Sequence, residues 1–181
     1  VKVITSDGEQ RPNFGMVFQN PDLQLFNASV RDELLYRIPN PDMPYFNWLI
    51  SALGLERYEN TPPLLLSEGE KKRVTLGLAL MRRPAHGLLL DEPSLGQDII
   101  HKTILIRLLR TLADSGQLVM MTTHDLNLAS HADRLILLGP EGRIIADGLT
   151  ESVLRDSSVW QKVGITLPNW FLRQRDAEIA K

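Results

Sequence analysis

Leu66-Ser67-Glu68-Gly69-Glu70-Lys71-Lys72-Arg73 is followed fifteen residues later by Leu88-Leu89-Leu90-Asp91-Glu92-Pro93, and then by Ser94-Leu95-Gly96-Gln97-Asp98. Ser67 and Glu70 have the spacing of a capping box, which starts a helix at this point. A strand of leucines then ends in two adjacent carboxylates, and short all-apolar strands of this kind belong to parallel sheets covered on both faces. In such sheets ligands bind outside the carboxyl ends of the strands. This order of elements suits a protein that grips a phosphate, holds a divalent cation and activates a water.

Working outward, the pattern is βαβ. It predicts a helix over 70–82, a strand over 87–91, a helix over 99–114 with a stripe of Ile100, Ile104, Leu108 and Leu112, and a strand over 118–123. Gly116 closes the long helix. Upstream, Val1 to Thr5 is strand-like, Ser6-Asp7-Gly8 is a turn, and Asn13 to Gln19 is a strand stopped by Asn20-Pro21-Asp22. Ser29 caps a short helix from Val30 to Leu35. Three prolines make 39–44 a loop before a helix from Phe46 to Leu53 that ends at Gly54. Downstream, strands over 134–138 and 143–146 are joined through Gly139-Pro140-Glu141-Gly142, residues 150–163 are helical, and the tail from Pro168 is amphipathic.

Composition narrows the classes. The 181 residues suit one domain with a real core, and a net charge of −2 argues against binding nucleic acid through a broad basic field. The absence of cysteine excludes disulfides and thiolate metal sites. No window approaches a membrane-spanning apolar run. Val1-Lys2-Val3-Ile4 reads as the interior of a longer chain.

Each candidate residue has a plain structural alternative. Ser67 and Glu70 are a helix cap on one reading. On the other, the N–H groups they leave free donate to a phosphate, with Gly69 allowing close approach. Lys71, Lys72 and Arg73 are a solvated face on the first reading. Asp91 and Glu92 are a polar strand end, or one holds a Mg²⁺ shell while its neighbour acts on water. His124 closes the next apolar strand and emerges at the same edge if the two strands are parallel neighbours. Gln19, at a third strand end, can coordinate metal or orient a water. His86, His101 and His131 read as packing or surface.

Together and in this order, Phe18-Gln19-Asn20-Pro21-Asp22, Leu66 to Arg73, Leu90 to Pro93, Ser94 to Asp98 and Thr122-Thr123-His124-Asp125 closely resemble the ATP-hydrolysing subunits of ATP-binding cassette (ABC) transporters, over about Phe14 to Gly148. Val17 to Phe26 and Glu70 to Val74 look most like the cobalt and energy-coupling-factor branch, which imports metal ions or vitamins.

The resemblance implies an α/β fold: a P-loop NTPase-like, mostly parallel sheet with helices on both faces and a helical signature subdomain, N-terminally incomplete. The helical part would span about 28–85, the core strands about 86–150, and a C-terminal helical tail 151–181. It implies ATP as the nucleotide and Mg²⁺ as the metal. By position, Gln19 is the Q-loop glutamine on metal and water, and Asp91 the Walker B aspartate of the metal shell. Glu92 is the general base and His124 the switch histidine. Ser67, Gly69 and Glu70 form the signature, which contacts the γ-phosphate held by the opposite protomer, and Asp98 is the D-loop aspartate at the dimer seam. The implied partners are a second ABC ATPase protomer, identical or different, and an integral membrane transporter subunit. The implied place is the cytoplasmic face of the cell membrane, with no nucleic acid bound. Glu68 stands where the family has a second glycine, and Gln97 where it has a leucine.

No Gly-x-x-x-x-Gly-Lys-Ser/Thr loop occurs in the 181 residues. Without its lysine and backbone N–H cradle, several charge-assisted hydrogen bonds worth ~1.5–3 kcal/mol each are missing. The expectation is negligible ATPase activity for this chain by itself, and a sheet short of one strand with apolar surface exposed. The alternatives are a non-catalytic partner that lends its signature helix to a P-loop-bearing subunit, and a non-transport ABC ATPase.

Overall fold

The structure is a computed structural model that describes residues 3–5, 8–10, 13–84 and 86–162. These divide into two compact units at His124/Asp125. The first unit opens with an antiparallel hairpin, β1 (Val3–Thr5) and β2 (Gly8–Gln10), paired from Val3–Gln10 to Thr5–Gly8. Gly8 of the predicted turn therefore lies in a strand, while Ser6 and Asp7 fall outside the described residues.

The sheet that positions the candidate site has three parallel strands, β3 (Phe14–Val17), β4 (Gly87–Asp91) and β5 (Leu118–Thr122), with β4 in the middle. Between β3 and β4 the chain builds three helices, α1 (Val30–Leu35), α2 (Met43–Ala52) and α3 (Glu68–Met81). Between β4 and β5 it builds one, α4 (Ile99–Asp114). The β4–β5 pairing runs from Gly87–Leu118 to Asp91–Thr122 in parallel, so the two strands finish at one edge, as the sequence anticipated for neighbouring strands.

One sheet face carries Val17, Leu88 and Leu90, all buried. The other carries Met16, Leu118 and Met120, each roughly half exposed at 48%, 50% and 53%. Together they form an open apolar surface on this face. Gly15 and Gly77 mark where α3 lies close. A Cβ on Gly15 would stand 2.7 Å from Leu88 Cδ2 and 3.3 Å from Ala79 Cβ, and one on Gly77 would meet Leu53 and Leu34 of the α2 and α1 region.

Two further expectations need correction. The helix α2 begins inside the predicted loop, at Met43. Asp42 caps it by accepting the Tyr45 N–H at 3.0 Å, and Pro44 sits in the first turn, where its missing N–H costs nothing. On α4 the buried line is Leu105 and Leu109, one residue round from the predicted stripe, and Ile100 is 71% exposed.

In the second unit α5 (Leu126–Ala129) precedes the antiparallel pair β6 (Arg134–Leu138) and β7 (Ile144–Leu149), joined by a turn at 139–142. The stretch read as helical over 150–163 forms two helices within the described residues, α6 (Thr150–Arg155) and α7 (Ser157–Lys162). Asp156 separates them, with extended backbone and a carboxylate that accepts the Ser158 N–H at 3.0 Å and so starts a new turn. Val153, Leu154 and Trp160 form this unit's core against Leu126, Leu135, Leu137 and Ala146. The amphipathic tail from Pro168 lies outside the described residues. No helix among the described residues is long and apolar enough to cross a membrane.

Candidate functional site

Two of the predicted side chains meet directly. Glu92 follows the last residue of β4, and His124 lies just past β5. Parallel pairing brings them together, with Nδ1 of His124 2.7 Å from Oε1 of Glu92. The same carboxylate accepts the His124 backbone N–H at 3.1 Å and the Thr123 hydroxyl at 3.4 Å. Glu92 is mostly enclosed, with 13% of its side chain exposed, while His124 is open at 77%. Asp91, one residue earlier, points to the other side of the strand and accepts the Thr122 hydroxyl.

Gln19 lies two residues beyond β3, next to β4 in the sheet, and is exposed. It lines a cavity of about 400 Å³ together with Asn20, Pro21, Asp22, Glu68, Lys71 and Leu95. Side-chain bonds that the sequence reading did not assign hold this loop. Gln24 accepts the Phe18 N–H at 2.9 Å and donates to Met16 O at 2.9 Å, extending the edge of β3 as a second strand would. Asn20 caps the short turn at Pro21–Leu23. Asp22 pairs with Lys71 at 2.8 Å and ties the loop to α3. Glu33, fully buried, accepts the N–H groups of Phe26 and Asn27 at 2.9 and 2.8 Å and the Asn27 amide at 3.0 Å.

The start of α3 is the capping box predicted from Ser67 and Glu70. The Ser67 hydroxyl accepts the Glu70 N–H at 3.4 Å, and the Glu70 carboxylate accepts the Ser67 N–H at 2.9 Å. The basic run behind it is not a solvated face. Lys72 is 1% exposed and Arg73 8% exposed, because α3 lies against the sheet from its second turn onward. The Arg73 Nε–H has no partner among the described residues, and burial lowers this guanidinium's pKa against the pull of Glu70 and Asp98.

A family model described as "ABC transporter" matches residues 3–95, just over half of the chain. The chain belongs to the ABC transporter family. It is 32% identical over 167 residues to an energy-coupling factor transporter ATP-binding protein, EcfA, of Methanocaldococcus jannaschii, covering 88% of this chain and 59% of that protein. It thus spans little more than half the length of this curated relative. Among solved structures it resembles CbiO1 of Clostridium perfringens, part of the ABC transporter complex CbiONQ. That likeness has a TM-score of 0.65 and 29% identity, over 90% of this chain and 67% of that one. It also resembles a dimeric bacterial ABC transporter cassette, with a TM-score of 0.63 and 26% identity, over 77% and 63% of the two chains.

The start of α3 and the 94–98 loop meet at two glycines. Gly69 is buried, and a Cβ there would lie 2.4 Å from the Gly96 carbonyl oxygen. The first turn of α3 therefore rests on the 94–98 loop. Gly96 itself holds φ +74, which glycine adopts at little cost. Asp98 is spent on α4: Oδ1 accepts the His101 N–H at 2.9 Å and faces His101 Nδ1 at 2.8 Å. We expect Gly69→Ala to destabilise the chain by about 1–3 kcal/mol, because neither backbone can retreat without moving its helix. A urea melt measures it.

Glu70 adds a pH dependence. Burial pushes its carboxyl up. The hydroxyls of Tyr58 and Ser67 and the Ser67 N–H outweigh that push, Arg73 adds to them, and together they hold the group down at about 2. A depressed carboxylate stabilises fully above its unfolded value near 4.5, and the contribution is lost as pH falls from there toward 2. Unfolding free energies at pH 5 and pH 3 should differ by about 2 kcal/mol on this account. The difference should shrink in Tyr58→Phe, which lacks the hydroxyl.

Proposed function

We propose that this chain is part of the ATP-hydrolysing subunit of an ABC importer for a metal ion or vitamin. In this reading it works at the cytoplasmic face of the membrane. It forms a head-to-tail dimer with a second ABC ATPase and docks on an integral membrane subunit. The observation that carries the reading is the Glu92–His124 pair at the sheet edge, beside Asp91 and near the end of β3 that bears Gln19. An energy-coupling factor transporter ATP-binding protein among the relatives and CbiO1 of an ABC transporter complex among the structural neighbours support an importer of this branch.

The donor set suits Mg²⁺. Asp91 offers an exposed carboxylate and Gln19 an exposed amide oxygen, and no cluster of three or more His, Asp or Glu surrounds them among the described residues. Mg²⁺ takes one or two protein oxygens and fills its remaining positions with water and phosphate. Asp91 and Gln19 would hold it, and it would supply charge neutralisation on the β- and γ-phosphates.

The chain's own residues do the rest. Glu92 takes a proton from the attacking water at its carboxylate. His124, held to that carboxylate, lies where it can touch the γ-phosphate and fix the water. The start of α3, with Ser67, Gly69 and Glu70, presents its positive dipole end to the γ-phosphate of ATP bound by the opposite protomer. The P-loop must come from outside these 181 residues, so the chain by itself has negligible turnover. MgATP turnover by the purified importer, with and without Glu92→Gln, tests the reading. Loss of turnover supports it, and unchanged turnover removes it.

A further inference from the structure

Lys72 has no role in the reading above, yet it is 1% exposed. A lysine is seldom buried so completely without partners for its charge. Its ammonium carries three N–H donors, and three carbonyls meet it: Phe18 O at 3.3 Å, Asp91 O at 3.4 Å and Glu92 O at 3.0 Å. None of the three is a side chain. All three lie at or just past the ends of β3 and β4.

The position matters because the sheet ladder stops there. The β3–β4 pairing ends at Val17–Leu90. Beyond it β4 continues with β5 alone, through Asp91–Thr122 and the Glu92 N–H on Thr122 O at 3.0 Å. The other strand turns away into the Pro21–Leu23 turn. Asp91 thus loses its β3 neighbour where Phe18 leaves the sheet, and Lys72 enters the gap.

Glu92 adds a second reason. Its backbone lies in the left-handed region at φ +47, a strained conformation for a residue with a Cβ. In this chain that twist accompanies a carboxylate directed at Thr123 and His124. The peptide is held from two sides, by Thr122 O on its N–H and by Lys72 on its carbonyl. Burial depresses the Lys72 pKa, while Glu68, Asp91 and Glu92 favour its charged form.

We propose that Lys72 is a positioning residue whose ammonium latches the ends of β3 and β4, and so sets the placement of Gln19 and the strained turn at Glu92. Its link to catalysis rests on the ATPase reading above, but the latch itself does not.

Amide hydrogen exchange on the 181-residue chain tests it. Lys72→Met keeps the length and the apolar stem and removes every donor. The amides of Glu92 and His124, both hydrogen-bonded in the latched turn, should exchange tenfold faster or more relative to Leu105 and Leu109 in α4. Lys72→Arg, which keeps donors, should restore most of the protection. If Lys72→Met does not fold, Lys72→Gln serves in its place with the same split expected. Exchange that rises equally at all four amides, or at none, would overturn the latch and leave Lys72 a packing residue. In the importer, Lys72→Met should lower kcat with KM for MgATP little changed. Failure of the ATPase reading would remove that effect and leave the exchange split intact.

Discussion

Replacing Glu92 by Gln is expected to lower MgATP turnover by the importer about 10²–10⁴-fold, the range a positioned general base contributes. Gln has the size of Glu and can still accept the His124 N–H, now 3.1 Å from Oε1. The turn at φ +47 and the strand pairing of Asp91 with Thr122 do not depend on the side-chain charge. Melting temperature and KM for MgATP should therefore stay close to those of the unmodified protein, while kcat falls. A fall in kcat with a matching fall in stability would point to a structural role for the carboxylate. Phosphate release under saturating MgATP and a thermal melt make the comparison.

Replacing Glu33 by Ala is expected to cost about 3 kcal/mol of folding stability, a large part of the 5–15 kcal/mol that holds a typical domain together. Glu33 is fully buried and gathers three donors, two of them backbone N–H groups of the loop that follows β3. Alanine leaves those donors facing an apolar hole in place of an acceptor. For a chain of this length the loss corresponds to a fall in Tm of roughly 6–12 °C. Glu33→Gln retains one amide oxygen and should lose about half as much. A loss below about 1 kcal/mol for Glu33→Ala would mean that water replaces the carboxylate at Phe26 and Asn27.

How much of this was legible beforehand depends on the distance over which each signal acts. The strand at 87–91, the helix at 99–114, and the caps at Ser29 and Ser67 rest on local periodicity and on side chains bonding their own turn, and these elements fall where the sequence places them. The register that joins Glu92 to His124 was legible conditionally, through the preference of consecutive βαβ strands to be parallel neighbours.

What escaped notice depends on partners far along the chain. Lys72 reads as one of three basic residues in a row, and nothing nearby shows that Phe18, 54 positions earlier, and Glu92, 20 later, converge on it. Gln24 and Glu33 bond backbone groups, which have no sequence signature. Pro44 reads as a breaker in the sequence, because a first-turn proline and an interior one look alike until the cap at Asp42 is placed. The stripe on α4 was drawn from the commonest apolar spacing. The helix turns Leu105 and Leu109 inward and leaves Ile99 and Ile100 exposed.

On the proposed function, residues 66–98 act on a nucleotide gripped by a P-loop supplied from elsewhere. The most direct test is MgATP turnover by the 181-residue chain, alone and after it is joined to the P-loop strand and helix of an energy-coupling-factor relative. No turnover above background is expected for the chain alone, and turnover in the joined protein that Glu92→Gln abolishes. Turnover by the chain alone that Glu92→Gln abolishes would contradict the proposed function.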